Sequence, residues 1–208
     1  MTLESQSKPG IRKWVLIGGA AILSFGALGY AWYDYRFPSW KEEVLLPDGR
    51  KIIVKQRRDF IEGYGTRKTW LTFSLPEIGG EQTWVERMQP VLIATSRDGA
   101  VYVVGWPTGE KQLMRYEHPR FGYVAFRWNG SAFVRVPFMS VPEGIRGEEN
   151  VVRCFPGREF LSWETKTSHG CNEYSEFLPG ITRRIDVAQM QDWALRQAKR
   201  HNITPLSE

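Results

Sequence analysis

Between Trp14 and Tyr33 the chain runs without a charged side chain. At 1.5 Å per residue, about 20 apolar residues cover the roughly 30 Å hydrocarbon core of a bilayer. The run must be helical to do so, because lipid offers no partner for backbone N–H and C=O groups. Trp14 marks one end, and Trp32, Tyr33, Tyr35 and Trp40 crowd the other, as an aromatic belt does at a membrane interface. Lys8, Arg12 and Lys13 precede the run with only Glu4 against them. Beyond it, Arg36 and Lys41 are offset by Asp34, Glu42 and Glu43. The excess of positive charge before the run predicts a cytoplasmic tail over residues 1–13, a single-pass signal-anchor over 14–33 and an exported remainder. Membrane lipid is then the first expected partner. A cleaved signal peptide is the alternative, since Ala27-Leu28-Gly29 is an acceptable small-x-small site, although large aromatics continue past it. No cysteine adjoins the apolar run, which excludes a lipoprotein anchor.

After an extended stalk over 34–41, the pattern over 42–208 changes to that of strands. Glu43-Val-Leu-Leu46, the turn Pro47-Asp48-Gly49 and Arg50 to Lys55 read as a hairpin. Thr69 to Ser74 alternates polar and apolar residues, as a half-buried strand does, and Gln82 to Met88 is a further strand candidate. Pro90 to Ser96 and Ala100 to Trp106 form a second hairpin around Arg97-Asp98-Gly99. Its arms are nearly all apolar or β-branched, which predicts a central, buried position. Gly122 to Trp128 and Ser131 to Val136 form a third around Asn129-Gly130, with Tyr123, Ala125 and Arg127 on one face and Val124, Phe126 and Trp128 on the other. The tail switches period. Asp186 can cap a helix from Val187 to about His201, with Lys199, Arg200 and His201 at its C-terminal end and Met190, Trp193, Ala194 and Gln197 near one face. The expected fold is mainly β (α+β): an antiparallel, hairpin-rich domain in which Trp193 seats a C-terminal helix on the sheet.

Composition adds a few limits. The chain has 208 residues, 9 of them Trp, with no fixed-period repeat and no low-complexity tract, so solenoid and disordered classes are excluded. About 170 residues beyond the anchor suffice for one domain with its own core. The formal charge is +5. Positive residues are scattered except for Arg50, Lys51, Lys55, Arg57, Arg58, Arg67 and Lys68, which alternate with Ile52, Ile53 and Val54 as on a half-exposed strand. Such a run suits an acidic partner, lipid headgroups or an anionic polymer. No recognition motif accompanies it, and an exported domain does not meet nucleic acid.

Leu46-Pro-Asp-Gly49, Val101-Tyr-Val-Val-Gly-Trp-Pro107, the strand Tyr123 to Trp128, Asn129-Gly130, Phe133-Val-Arg-Val-Pro137 and Pro142 follow in an order that resembles a group of bacterial membrane-anchored or lipid-anchored envelope proteins of unknown function. The likeness spans roughly residues 42 to 152. It implies an exported β domain on the inner membrane of a bacterium, facing the periplasm, and supplies no activity.

Cys154 and Cys171, the two cysteines of the chain, read in an exported domain as a disulfide. Ser168-His169-Gly170-Cys171 resembles the active-site string of L,D-transpeptidases, cell-wall enzymes with a cysteine nucleophile. That resemblance implies Cys171 attacking an amide carbonyl with His169 beside it. The family string continues with an aliphatic residue and Arg, where this chain has Asn172 and Glu173, and the family's earlier His-Gly has no counterpart at His118-Pro119. His118 reads as a loop residue, and His118, His169 and His201 are too scattered to suggest a metal. No cofactor is implied. Trp106 and Trp163 are candidates for a ligand or partner groove as well as for core packing. The function expected is that of a non-enzymatic interaction or accessory module with a protein partner, with a transpeptidase-like cysteine enzyme as the alternative.

Overall fold

The computed structural model describes residues 29, 32–33, 35–61, 65–146, 149–152, 157, 159–168 and 187–200. The chain divides at Phe37 into two compact units, Met1–Phe37 and Pro38–Glu208. In the first, Trp32, Tyr33, Tyr35 and Arg36 are helical, with Trp32 and Tyr35 strongly exposed and the Tyr33 ring 5.1 Å from that of Phe37. Apart from Gly29, Trp32 and Tyr33, the expected span, Trp14 included, lies outside the described residues. Among those described, no helix is long and apolar enough to cross a membrane.

The second unit is mainly β, with two sheets and few helices. The first sheet has strand order β4-β3-β2-β1-β9, formed by β1 Ser39–Leu45, β2 Lys51–Ile61, β3 Gly65–Leu75, β4 Gly80–Glu86 and the short β9 Phe160–Leu161. It is antiparallel except where β9 runs parallel to β1. The second sheet is an antiparallel meander of β5 Gln89–Thr95, β6 Val101–Trp106, β7 Val124–Trp128 and β8 Phe133–Val136. Helix α1 Glu110–Arg115 lies between β6 and β7, α2 Trp163–Ser168 follows β9, and α3 spans Val187–Arg200.

Turn chemistry explains the first two hairpins. Gly49 and Gly99 both take positive φ, +86° and +79°, where a side chain would be strained. The third differs from expectation. Asn129 does not adopt positive φ, and residues 129–132 form a four-residue connection. The Asn129 side chain accepts hydrogen bonds from the Ser131 and Ala132 N–H groups at 3.0 and 2.9 Å, so it closes the turn itself. Alternation along β7 falls as expected. Val124 and Phe126 enter the core between the sheets, while Tyr123 and Ala125 enter a second core beneath the 3-10 turns Phe138–Ser140 and Glu143–Ile145.

The main core lies between the sheets. Val44, Val54, Leu71, Phe73 and Trp84 of the first meet Ile93, Val103 and Phe126 of the second, with the Trp84 and Phe126 rings edge to face at 5.6 Å. Met88 packs onto Gly105 so closely that a Cβ there would overlap its Sδ, and a larger residue would force Met88 to move. The buried β5 is an edge strand, contrary to its expected central place. Its free edge is closed by Asn150, whose Oδ1 accepts from Ile93 N–H at 2.9 Å. Asn150 Nδ2 donates to the carbonyls of Ile93 at 2.7 Å and Leu45 at 2.9 Å. The short apolar arms satisfied the pattern of a central strand, and a side chain supplies the neighbour.

The stalk ends earlier than expected. Ser39 to Lys41 belong to β1, and Trp40, grouped above with the interfacial aromatics, is 2% exposed and packs with Val152 and Leu161. Helix α3 lies close to its expected limits, with Ala194 and Ala198 buried, and the Trp193 side chain lies outside those described. Neither α1 nor α2 was anticipated, as both are single-turn-scale elements without an apolar period.

One surface cluster ties the sheets together. Asp48 Oδ2, in the β1–β2 turn, accepts from Thr95 Oγ1 of β5 at 2.7 Å and from Arg50 at 2.7 Å, and Arg50 also reaches Glu77 at 2.6 Å. The Arg50 guanidinium lowers the Asp48 carboxyl from 3.8 to about 2. A depressed acid contributes stability above its unfolded value and loses it as pH falls through the folded one. The stability difference between wild type and Asp48→Asn should therefore shrink between about pH 4 and pH 2. Acid unfolding of the two proteins checks this, and a constant difference across that range would refute it. The site is half-exposed, so solvent screening keeps the effect small.

Candidate functional site

Cys154, Cys171 and His169 lie outside the described residues, as does Trp14. The other residues marked from sequence scatter. His118 lies in the loop after α1, where it is buried, and with Glu117 it takes a left-handed backbone. Trp106 packs against the second core. Trp163 opens α2 with its N–H donated to Glu43 at 2.9 Å. These residues share no site.

The basic run does build one. In β2 the side chains of Lys51, Ile53, Lys55 and Arg57 point away from the core, while Val54, Gln56 and Arg58 point into it. Register extends this outer face across the sheet. Lys55 stands opposite Lys41 of β1 on one side and Thr72 of β3 on the other, and Thr72 stands opposite Thr83 of β4. The next row out runs Ser39, Arg57, Trp70 and Val85. Lys41, Lys55, Arg57, Trp70, Thr72 and Thr83 line an open groove of about 790 Å³, together with Ile53, Ser74 and Glu81. The two threonine hydroxyls are 2.9 Å apart. The Trp70 indole has the Arg57 guanidinium 5.5 Å and the Lys68 ammonium 4.7 Å from its ring centroid.

The electrostatics of this face are unbalanced. Directly opposed like charges destabilise a strand pair, yet Lys41 faces Lys55. Among the described residues no ion pair includes either lysine, whereas the neighbouring Lys51 engages Glu164 at 2.7 Å and Glu43 at 3.8 Å. Strand spacing puts opposed side chains about 5 Å apart, and Arg57 lies about 7 Å further along β2. Lys41 and Lys55 therefore stand side by side on this face, with Arg57 the next outward residue along β2.

Immediately beneath, the intervening residues of the same strands form a buried ionic network. Glu42, wholly buried, accepts from Lys166 Nζ of α2 at 2.7 Å, from Val152 N–H at 3.0 Å and from the Gln56 amide. Lys166 also donates to the Asn150 carbonyl at 2.7 Å. Arg58 is bonded to Gln56 Oε1 at 2.9 and 2.8 Å and to the Val152 carbonyl, with its guanidinium 5.1 Å from the Trp40 ring. Burial pushes Arg58 down to about 9, still charged at neutral pH, and also lowers Lys166, against the pull of Glu42. Glu42, Gln56, Arg58 and Lys166 are all closed to solvent. The effect of the network is to hold β1, β2, α2 and the 149–152 segment together, which fixes the backbone that carries Lys41, Lys55 and Arg57.

The sequence marked Lys55 and Arg57 through their alternation with apolar residues. It did not mark Lys41, assigned to the stalk, or Trp70 as a neighbour of Arg57. Cross-strand register joins these residues, and a basic run on one strand carries no record of its partners. Among the described residues, no group of His, Cys, Asp or Glu converges as a metal site would require. No protein-family model, curated protein or solved structure matches the chain.

Proposed function

We propose that the chain is a single-pass envelope protein of a bacterial inner membrane and a non-enzymatic interaction module. Residues Trp14 to Tyr33 are its anchor, the tail before them is cytoplasmic, and the β domain faces the periplasm. In that compartment Cys154 and Cys171 pair. The contact surface is the outer face of the five-stranded sheet. The observation that supports this reading is the pairing of Lys41 with Lys55 beside Trp70 in an open groove, which leaves cations and an aromatic ring facing solvent. Such an arrangement disfavours the isolated domain slightly and suits contact with an acidic partner.

The test is site-directed photocrosslinking in intact cells of the source type. A crosslinking residue in place of Thr83, within the groove, should yield a discrete adduct that Lys41→Glu abolishes. The same residue in place of Val134, on the exposed side of β8, should not. Equal yields at both positions, or an adduct indifferent to Lys41→Glu, would refute the face as the contact surface. A periplasm-dependent reporter fused after Glu208 should be active, and its silence would refute the topology.

A further inference from the structure

We propose that the groove on the outer sheet face binds an acidic glycan, a chain of sugar rings bearing carboxylates, with the carboxylate held by Lys41, Lys55 and Arg57 and a ring stacked at Trp70. This rests on the reading of that face as the contact surface and names its occupant.

The groove holds the two kinds of group that a sugar acid needs. Sugar rings carry C–H patches that pack on an aromatic face, while hydroxyls and acid groups at the rim seek donors. Trp70 supplies the aromatic, and Thr72, Thr83 and Ser74 supply hydroxyls along the same floor. Lys41, Lys55 and Arg57 place three positive charges along the groove lining. The sheet beneath is held by the Glu42–Lys166 network, so the backbone positions of the cations are fixed before binding and the lysine side chains alone must order.

Other acidic partners fit less well. A peptide added as a strand needs unpaired backbone groups at a sheet edge. Here β2 and β3 are interior strands, paired on both sides, and only side chains face the groove. A bilayer surface is broad and of one sign, whereas this groove is concave and includes Glu81. Single-stranded nucleic acid is gripped through aromatics on which successive bases stack, and the groove lining includes one aromatic besides Trp70, Phe73, whose side chain is turned into the core.

The experiment uses the full chain in nanodiscs of zwitterionic lipid, titrated with an oligogalacturonate of six sugars and followed by calorimetry. Saturable binding is expected, weakening as salt screens the cations. Lys41→Glu and Lys55→Glu should each weaken it about tenfold or more, and Trp70→Ala by a similar factor through lost stacking. Lys41→Glu converts a repulsive pair into an attractive one, so it should fold at least as well as wild type while binding worse. A thermal melt therefore separates lost binding from lost fold. Poly-glutamate of equal charge, a neutral cello-oligosaccharide, an oligothymidylate and vesicles of anionic phosphatidylglycerol are the comparison arms. Any of them binding the groove as tightly as oligogalacturonate would overturn the glycan proposal, as would full binding by the three variants. If no sugar acid binds while the Thr83 crosslink persists, the glycan is wrong and the contact surface stands. If the crosslink also fails, both are refuted.

Discussion

Glu42→Ala should destabilise the β domain by about 3–5 kcal/mol, the cost of breaking a buried ion pair by removing one partner. Glu42 and Lys166 are both wholly buried and 2.7 Å apart, and Arg58 lies in the same cluster. Without the carboxylate, two cations remain in a space closed to water. Val152 N–H and the Gln56 amide also lose an acceptor. The charge explanation has a further signature. Burial lowers Lys166, and a base with a depressed folded pKa binds fewer protons folded than unfolded, so stability rises with pH up to its ordinary value of 10.5. Loss of the opposing Glu42 should steepen that rise in the variant. The double variant Glu42→Leu with Lys166→Met removes the ion pair but leaves Arg58 buried and Val152 N–H without its acceptor, so it should recover part of the loss. Urea unfolding of the single and double variants across pH 6 to 10 measures all of this. A loss below about 1 kcal/mol, or a double variant no better than Glu42→Ala, would show that the cluster does not hold the domain as described.

The second large effect is expected at Asn150, which bridges the two sheets. Its side chain satisfies Ile93 N–H, Ile93 C=O and Leu45 C=O, and its own N–H donates to the Val91 carbonyl at 3.0 Å. Each buried polar group left without a partner costs about 1–3 kcal/mol. Asn150→Ala orphans three, so a loss of about 3–5 kcal/mol is expected after partial relaxation. Asn150→Asp keeps the acceptor for Ile93 N–H but turns a second oxygen toward two carbonyls, and should be nearly as damaging. Amide hydrogen exchange at Ile93 distinguishes the two. Protection should fall in Asn150→Ala beyond the global loss of stability, and persist relative to that loss in Asn150→Asp. If Ile93 is protected equally in both, the side chain is not what closes the edge of β5.

These two residues show where sequence reasoning reaches its limit. Glu42 sits in Lys41-Glu42-Glu43, at the junction of the expected stalk and the β domain, where nothing local marks it for burial. Its burial depends on Gln56, Val152 and Lys166, which arrive from three other segments. Asn150 follows Gly147, Glu148 and Glu149 in a stretch with no period, where a capping side chain leaves no pattern. The candidate site divides in the same way. Lys55 and Arg57 were legible as outward residues of a strand, because side-chain direction alternates with the backbone. Lys41 and Trp70 became their neighbours through strand register alone.

What could be read locally was set by local forces. The Pro47-Asp48-Gly49 and Arg97-Asp98-Gly99 turns, the two faces of β7 and helix α3 follow from backbone sterics and short-range periodicity, which a few adjacent residues impose. The tertiary structure alone decided that the strands divide into two sheets, that β9 joins β1 in parallel, that Trp40 enters a core, and that Lys41 stands opposite Lys55. Each of these depends on which distant segments exclude water from one another. Apolar burial is non-directional, so a strand's pattern states that one face must be covered and leaves its partner unspecified.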